Sequence, residues 1–449
     1  MNTSGSASAA TATLMPSILA SRRRFLVQTA TAVATTIIFF FNLSTPYYGG
    51  NDANTSNAST SFQALHRWQR QRLHQRNKTE TSIIRTKCID EIRKIHDEKL
   101  GEFIRKFKRD SSESDGHWNL LAQPSFHSNL GDTLLTEGEE VFFERQQFVH
   151  QMCLHYREWP AKNISHCPKH FENAIGNNLA FWHAGGNWGD LWPLPQKLRM
   201  NGVASLLKNN FTFVGMPQSI FYRSNATREH HTKLIKQNVL KGLGLSEFEL
   251  NNSADAMSSV RERLIFTWRE KSSFQIAKQL YPFAHNMIVP DIAFQMGEFH
   301  PKRPREDLLV DILLLLRNDQ ESNIGSRSDE AVSLAIGSKN KTFRVADWDD
   351  RLQLFGDSNH LNVDTAVELL GLGKIVIVDR LHAGILSYLS GLDFIYIDNI
   401  SQKLTKTLST AFERREECHL WERADSLYNA IQQALEYLDN GGGNWGEEV

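Results

Sequence analysis

Charge imbalance, cysteine and metal-ligand clusters are all scarce in this sequence. Lys and Arg number 50 against 51 Asp and Glu, a net charge of -1, so no global field recommends a polyanion and no nucleic-acid partner is expected. Four cysteines in 449 residues (Cys88, Cys153, Cys167 and Cys418), with no Cys-x-x-Cys pair, exclude a disulfide scaffold and a structural zinc site. Cys153 and Cys167 lie close enough in the chain for one local disulfide in an oxidising compartment; two free buried thiols fit the spacing equally well. No His/Glu cluster has metal-ligand spacing, so no metal and no cofactor are expected. Acidic residues are absent altogether before Asp52.

That acid-free start reads as an address. Arg22-Arg23-Arg24 precedes nineteen uncharged residues, Phe25 to Leu43, just long enough to span a bilayer's hydrocarbon core. The arginines put residues 1–24 on the cytoplasmic side and the rest across the membrane. No Ala-x-Ala-like cleavage site follows, which favours an uncleaved signal anchor over 25–43. The expectation is a single-pass type II membrane protein facing the Golgi or secretory lumen. Ser21-Arg22-Arg23-Arg24-Phe25-Leu26 also resembles a twin-arginine signal, and the Ser/Ala/Thr-rich start a transit peptide. Glycosylation sequons at Asn163, Asn210, Asn225, Asn340 and Asn399 fit the luminal reading.

Residues 44–61 are rich in Asn, Ser, Thr and Gly and read as a neck. Residues 62–110 hold fourteen Lys/Arg against seven Asp/Glu, with Ile89, Ile92, Ile95, Leu100, Phe103 and Phe107 at helical spacing. They read as a basic helical stem, so neck and stem together cover 44–115. On this reading a chain starting near residue 115 is soluble and folded.

Beyond the stem, short apolar runs alternate with helical stretches. Leu179–Trp182, Phe211–Val214, Arg263–Phe266 and Met287–Val289 read as buried strands, with helices over 131–151, 227–241 and 270–280 between them. A polar linker over 297–307 interrupts, and the pattern restarts with strands at 308–316, 342–346, 375–378 and 394–397. Repeated strand and helix argue for parallel sheets covered on both faces. The expected fold is α/β, with two Rossmann-like domains (116–298 and 306–440) facing a cleft in a GT-B-like arrangement, preceded by the signal anchor and stem.

Four motifs carry chemistry. Asn129-Leu-Gly131-Asp132 opens a helix after a turn, and Asn187-Trp188-Gly189-Asp190 is expected to do the same after a strand, within Trp182-His183-Ala-Gly185-Gly186-Asn187-Trp188-Gly189-Asp190-Leu-Trp192. Glycines admit close backbone approach and helix N-termini attract anions. Each copy alone is also an ordinary capped turn. Val378-Asp379-Arg380-Leu381-His382, Trp268-Arg269-Glu270 and Leu316-Arg317-Asn318-Asp319 each follow a strand end, where parallel sheets bind ligands.

With Pro217-Gln218-Ser219 and Pro290-Asp291, these pieces resemble, in order and spacing over roughly 125–400, the polysaccharide pyruvyl transferase family, particularly its membrane-anchored eukaryotic type. The resemblance implies transfer of pyruvate from phosphoenolpyruvate to the hydroxyls of a glycan acceptor, of galactose type, forming a ketal. It implies that Arg269 and Arg380 grip the donor from the two domains, aided by the Leu381 and His382 backbone. His382 either transfers protons or only binds phosphate. Asn129, Gly131, Asp132, His183, Gly185, Gly186, Asn187, Trp188, Asp190 and Arg317 are the remaining substrate-binding candidates, although Asp132 and Asp190 also read as helix caps. Trp182, Trp188 and Trp192 suggest a sugar-stacking face or, for Trp182, core packing. A nucleotide-sugar glycosyltransferase and a silent glycan-binding protein are the rival readings.

Overall fold

The computed structural model describes residues 78–110, 119–122, 124, 129–153, 178–299, 306–324, 329–337, 339–348 and 363–442. The proposed anchor, the neck, the start of the stem, Asn163 and Cys167 lie outside them. Among the described residues no helix is long and apolar enough to cross a membrane.

Two parallel sheets form the frame. The first contains β1 (Asn119–Ala122), β2 (Gln151–Cys153), β3 (Asn178–Trp182), β4 (Gly185–Gly189), β5 (Phe211–Phe221), β6 (Leu264–Trp268) and β7 (His285–Ile288). Its order is β2-β1-β3-β5-β6-β7, with β4 also paired to β5. β5 serves two partners in succession: Phe211 to Gly215 pair with β3, and Gln218 to Phe221 with β4. Pro217, which has no N–H to donate, sits at the irregularity between them. The second sheet contains β8 (Val310–Leu315), β9 (Phe343–Ala346), β10 (Gly373–Val378), β11 (Phe394–Ile397) and β12 (Glu422–Ala424). Its order is β12-β11-β10-β8-β9, so the chain reverses direction across the sheet between β8 and β10. Every side chain of β3, β6 and β11 is buried, which is why these strands read as unbroken apolar runs rather than alternating ones.

The helices are α1 (Lys78–Asp110), α2 (Leu130–Arg145), α3 (Pro193–Lys208), α4 (Asn225–Leu243), α5 (Glu247–Asn252), α6 (Ala254–Arg263), α7 (Lys271–Leu280), α8 (Asp329–Ile336), α9 (Val363–Leu370), α10 (Leu381–Leu389), α11 (Lys403–Ala411) and α12 (Leu427–Asp439). Their ends follow local chemistry. Asn129 caps α2 through its side chain, Ser224 caps α4, and Gly244 stops α4 at a φ of 68°.

Two expectations change here, and one bond joins them. The segment 62–110, read as a stem, supplies α1 to the core: Cys88, Ile89, Ile92, Leu100 and Ile104 are each at most 1% exposed, in the same apolar cluster as strands of both sheets. Helical spacing looks alike whether its apolar stripe faces a partner chain or its own domain. Cys88 is bonded to Cys418, a separation of 330 residues and a pairing the spacing did not suggest; a local pair of Cys153 with Cys167 would involve a residue outside the described set. The second Asn-x-Gly-Asp copy does not open a helix. It lies mostly within β4, and the next helix starts at Pro193 with Trp192 as its cap residue. Gly189 is needed there as a strand residue: its φ is +143°, and a Cβ would sit 1.8 Å from the Phe221 carbonyl oxygen.

Of the described sequon asparagines, Asn210, Asn225 and Asn340 are exposed. Asn399 is only 2% exposed and its amide is spent on Glu321 and Ser401, so its position does not suit a glycan.

Candidate active site

A cavity of about 290 Å³ lies where the C-terminal ends of the two sheets meet. The first sheet contributes Gly186 and Arg269, and the start of α2 contributes Asn129, Gly131 and Asp132. The second contributes Arg317, Asp319 and Glu321 after β8, Asp347 and Trp348 after β9, and Arg380, Leu381 and His382 after β10. Arg317 and Arg380 thus flank the point where the strand order reverses, the usual ligand crevice of an open parallel sheet.

Arg269 is 1% exposed. Its Nε donates to Ser219 Oγ at 2.7 Å and its Nη1 to Asp291 Oδ2 at 2.6 Å. The same Nη1 lies 3.3 Å from His382 Nε2, joining the two halves of the site. His382 Nε2 is also 3.5 Å from Asp291 Oδ2. Burial works against a charge on Asp291, but the Arg269 guanidinium and the His382 hydrogen bond hold its carboxyl well below the usual range. The His382 ring rests on the first turn of α2: a Cβ on Gly131 would fall 2.4 Å from Nδ1. Glycine at 131 is therefore a packing requirement of the histidine.

Each of the other cations also faces a carboxylate. Arg380 grips Asp347 with Nε and Nη2 at 2.7 and 2.8 Å. Arg317 grips Asp319 with Nε and Nη2 and reaches Glu321 with Nη1 at 3.1 Å. Behind them Asp379 is fully buried, accepts the Arg317 backbone N–H, and is pushed up by burial to about 7. These pairs hold the guanidinium planes still, so their remaining N–H groups are positioned before a ligand arrives.

Sequence reasoning placed several residues here that the fold puts elsewhere. His183 is buried away from the cavity lining, its Nδ1 2.8 Å from Glu139, which also takes the Ala184 N–H. The pair anchors the strand-to-β4 turn rather than facing an acceptor. Trp188 is 1% exposed and bonds Tyr281 through its indole N–H. Trp182 packs on Phe213 in the core. Of that aromatic trio only Trp192 lines the cavity, donating to Glu321 at 2.9 Å. Asp190 caps no helix of its own: it accepts the Arg223 and Ser224 N–H groups and so ties the end of β4 to the turn before α4. Of the two readings of Asp132 the cap is excluded: Asn129 caps the helix, while Asp132 takes a hydrogen bond from Asn129 Nδ2 at 3.0 Å and lines the cavity. Gly185 lies at the start of β4 at a φ of +133°. Asn187 belongs to β4, and its side chain is outside the described set.

Glu321, Asp347, Trp348 and Lys403 had no sequence signal beyond their position after a strand. An Asp-x-Asp spacing does occur at Asp347-Trp348-Asp349, but Asp347 is engaged by Arg380 and Asp349 is outside the described residues. Among the described residues no group of three or more His, Cys, Asp and Glu side chains is placed to hold a metal.

The far side of Asp291 is fastened to α1. His96, fully buried, has Nε2 2.9 Å from the Pro290 carbonyl and Nδ1 2.9 Å from Gln295 Nε2, which fits a neutral ring donating from Nε2. Burial holds this histidine down at about 4. In the unfolded chain it titrates near 6.5, so between those values the unfolded state binds more protons, and stability falls as pH falls. At pH 5 the loss from this group is expected to be about 2 kcal/mol. The urea midpoint should drop more between pH 7 and pH 5 in the native protein than in His96→Gln; equal drops would rule out His96 as the source.

A sequence model of the polysaccharide pyruvyl transferase family matches residues 71–401. Pyruvyl transferase 1 of Schizosaccharomyces pombe is 28% identical over 231 residues, 49% of this chain and 51% of that protein. EpsO of Bacillus subtilis (strain 168), which also carries a pyruvyl transferase name, is 27% identical over 204 residues, 45% and 52% of the two chains. The chain thus spans about half the length of these curated relatives. A crystal structure of a protein of uncharacterised function from Klebsiella pneumoniae subsp. pneumoniae aligns over 73% of this chain and 98% of its own, at a TM-score of 0.40 and 17% identity. With the family match running through both sheets and most of the cavity residues, this chain belongs to the polysaccharide pyruvyl transferase family.

Proposed function

We propose that the protein transfers pyruvate from phosphoenolpyruvate to two hydroxyls of a galactose-type residue on a glycan, forming a cyclic ketal, in the lumen of the secretory pathway. The observation that carries this reading is the meeting of Arg269 and His382, from opposite sheets, 3.3 Å apart on one small polar cavity. In the reaction two sugar oxygens bond to C2 of the donor. The C2–O bond to phosphate breaks with its electron pair going to phosphate. One hydroxyl proton ends on the former methylene, making a methyl group, and the other leaves with phosphate.

Arg269 and Arg380, each steadied by a carboxylate, bind the donor's anionic groups, and His382 moves the proton, held in place by Asp291 and the α2 turn. Trp192 offers the acceptor an aromatic face at the cavity mouth. The Cys88–Cys418 bond supports an oxidising compartment, and the apolar stretch over 25–43 supports a membrane anchor.

The test is phosphate release from phosphoenolpyruvate with a panel of galactosides, using nucleotide sugars as the control donor. No phosphate released from phosphoenolpyruvate with any acceptor, together with nucleoside diphosphate released from a nucleotide sugar, would overturn the reading in favour of a glycosyltransferase. Within that assay His382→Ala should lower turnover about 10²–10⁴-fold with a smaller change in donor affinity. His382→Gln keeps a hydrogen-bond donor but cannot shuttle a proton, so near-normal turnover in it would make His382 a phosphate-binding group instead.

A further inference from the structure

The carboxylate that follows Arg269 in the chain is buried as deeply as the arginine. Glu270 is 2% exposed and lies outside the cavity lining. Among the described residues three hydroxyls donate to it. Ser219 Oγ reaches Oε1 at 2.5 Å, Ser273 Oγ reaches Oε2 at 2.8 Å, and Thr407 Oγ1 reaches Oε1 at 3.3 Å. They come from β5, α7 and α11, the last on the second sheet's side. A buried carboxylate is costly unless its lone pairs are satisfied, and these hydroxyls satisfy this one.

Of the three, Ser219 is the one that touches the site. A serine hydroxyl has a single proton, and without a fixed acceptor it rotates freely. Here Glu270 takes that proton, so the lone pairs of the oxygen are left for Arg269, whose Nε donates to it at 2.7 Å. Arg269 Nη1 is held separately by Asp291 at 2.6 Å. Ser219 and Asp291 are thus the two points that set the plane of the guanidinium. The negative charge of Glu270 strengthens the bond from Ser219 and, through it, the bond from Nε. From the far side, Thr407 and the Lys271 N–H, which donates to Thr410 Oγ1 at 3.2 Å, fasten this stretch to α11.

We propose that Glu270 is a positioning residue: it fixes the proton of Ser219 and thereby the plane in which Arg269 meets the donor. Glu270 acts through Ser219 and not on the donor itself. The inference rests on the reading of Arg269 as a donor-binding residue, yet the relay is a property of the free protein and can be followed without a ligand. Arg269 and Glu270 are neighbours in the chain, but the arginine feels the carboxylate through a hydroxyl 50 residues away.

The test uses the full-length chain and two readouts. One is the rate at which phenylglyoxal modifies Arg269, with Arg380 as the internal control, resolved by peptide mass spectrometry. The other is binding of phosphoenolpyruvate, followed by tryptophan fluorescence because Trp192 and Trp348 line the cavity. Glu270→Gln removes the charge and keeps the shape. In it Arg269 should react about tenfold faster and phosphoenolpyruvate bind about tenfold more weakly, the worth of one charge-assisted hydrogen bond. Arg380 should react at its native rate. Ser219→Ala should reproduce both changes, and adding Glu270→Gln to it should change little more. Faster modification of both arginines would mark general loosening and overturn the assignment. A native Arg269 rate in Glu270→Gln, or additive losses in the double variant, would overturn it too. Arg269 alone freed in Glu270→Gln, with no phosphoenolpyruvate bound by the native protein, would sustain the positioning role and overturn the donor reading instead.

Discussion

A chain that begins at residue 115 should aggregate, whereas one that begins at residue 62 should fold. The difference is α1, which puts Cys88, Ile89, Ile92, Leu100 and Ile104 into the core with at most 1% of each exposed. Burying an aliphatic side chain of this size stabilises by about 1.5–3 kcal/mol, so the four Ile and Leu side chains together contribute roughly 6–12 kcal/mol by that figure. The Cys88–Cys418 bond adds about 2–5 kcal/mol. Total stabilities of domains are only about 5–15 kcal/mol, so removing α1 removes most of what holds the native state. The helix also brings His96 to Pro290 and Lys99 to the Ile288 carbonyl, so its loss frees the strand end that carries Asp291. Size-exclusion chromatography and a thermal melt of the two truncated chains decide the matter. A monodisperse 115–449 chain with a cooperative melt would show that α1 is an appendage after all. Replacing both Cys88 and Cys418 by serine is the milder case: a loss of a few kcal/mol with the fold intact.

The second large effect is expected at Arg269, where stability and binding meet in one side chain. Arg269→Ala leaves Asp291 fully buried with its closest cation gone, and breaking a buried pair in this way costs about 3–5 kcal/mol. Donor affinity should fall about ten- to a hundredfold as well, the value of a charge-assisted contact to an anion. A paired substitution separates the two losses. Arg269→Met/Asp291→Asn removes the stranded carboxylate and should recover most of the stability while donor binding stays weak. Arg269→Lys should rescue only part of either, because an ammonium cannot reach Ser219, Asp291 and the cavity from one plane. Donor affinity unchanged in the stable double variant would remove Arg269 from the binding site and leave it as a strut between the sheets. Arg380→Ala is the milder companion: Asp347, half-buried, keeps the Asn318 and Trp348 backbone N–H groups.

Much of the frame was legible in the residue order. Unbroken apolar runs located the central strands because a parallel strand covered on both faces has no polar side to show. Asn129 before Leu130 announced a helix start because capping is a contact between neighbours. Arg269, Arg317, Arg380 and His382 were found because each directly follows such a run, and strand ends are where a parallel sheet opens to ligands. What the tertiary structure decided was every partnership across the chain. Arg269 meets Asp291 22 residues away, Lys403 meets Glu321 across 82, and Cys88 meets Cys418 across 330. It also decided that α1 is core and not stem, that His183 and Trp188 turn inward, and that the second Asn-x-Gly-Asp copy is largely strand. Periodicity and capping are settled within a turn or two of chain, so a sequence displays them. Which cation faces which carboxylate, and which apolar stripe finds a partner, depends on the order in which strands assemble, and that order exists only once the sheets have formed.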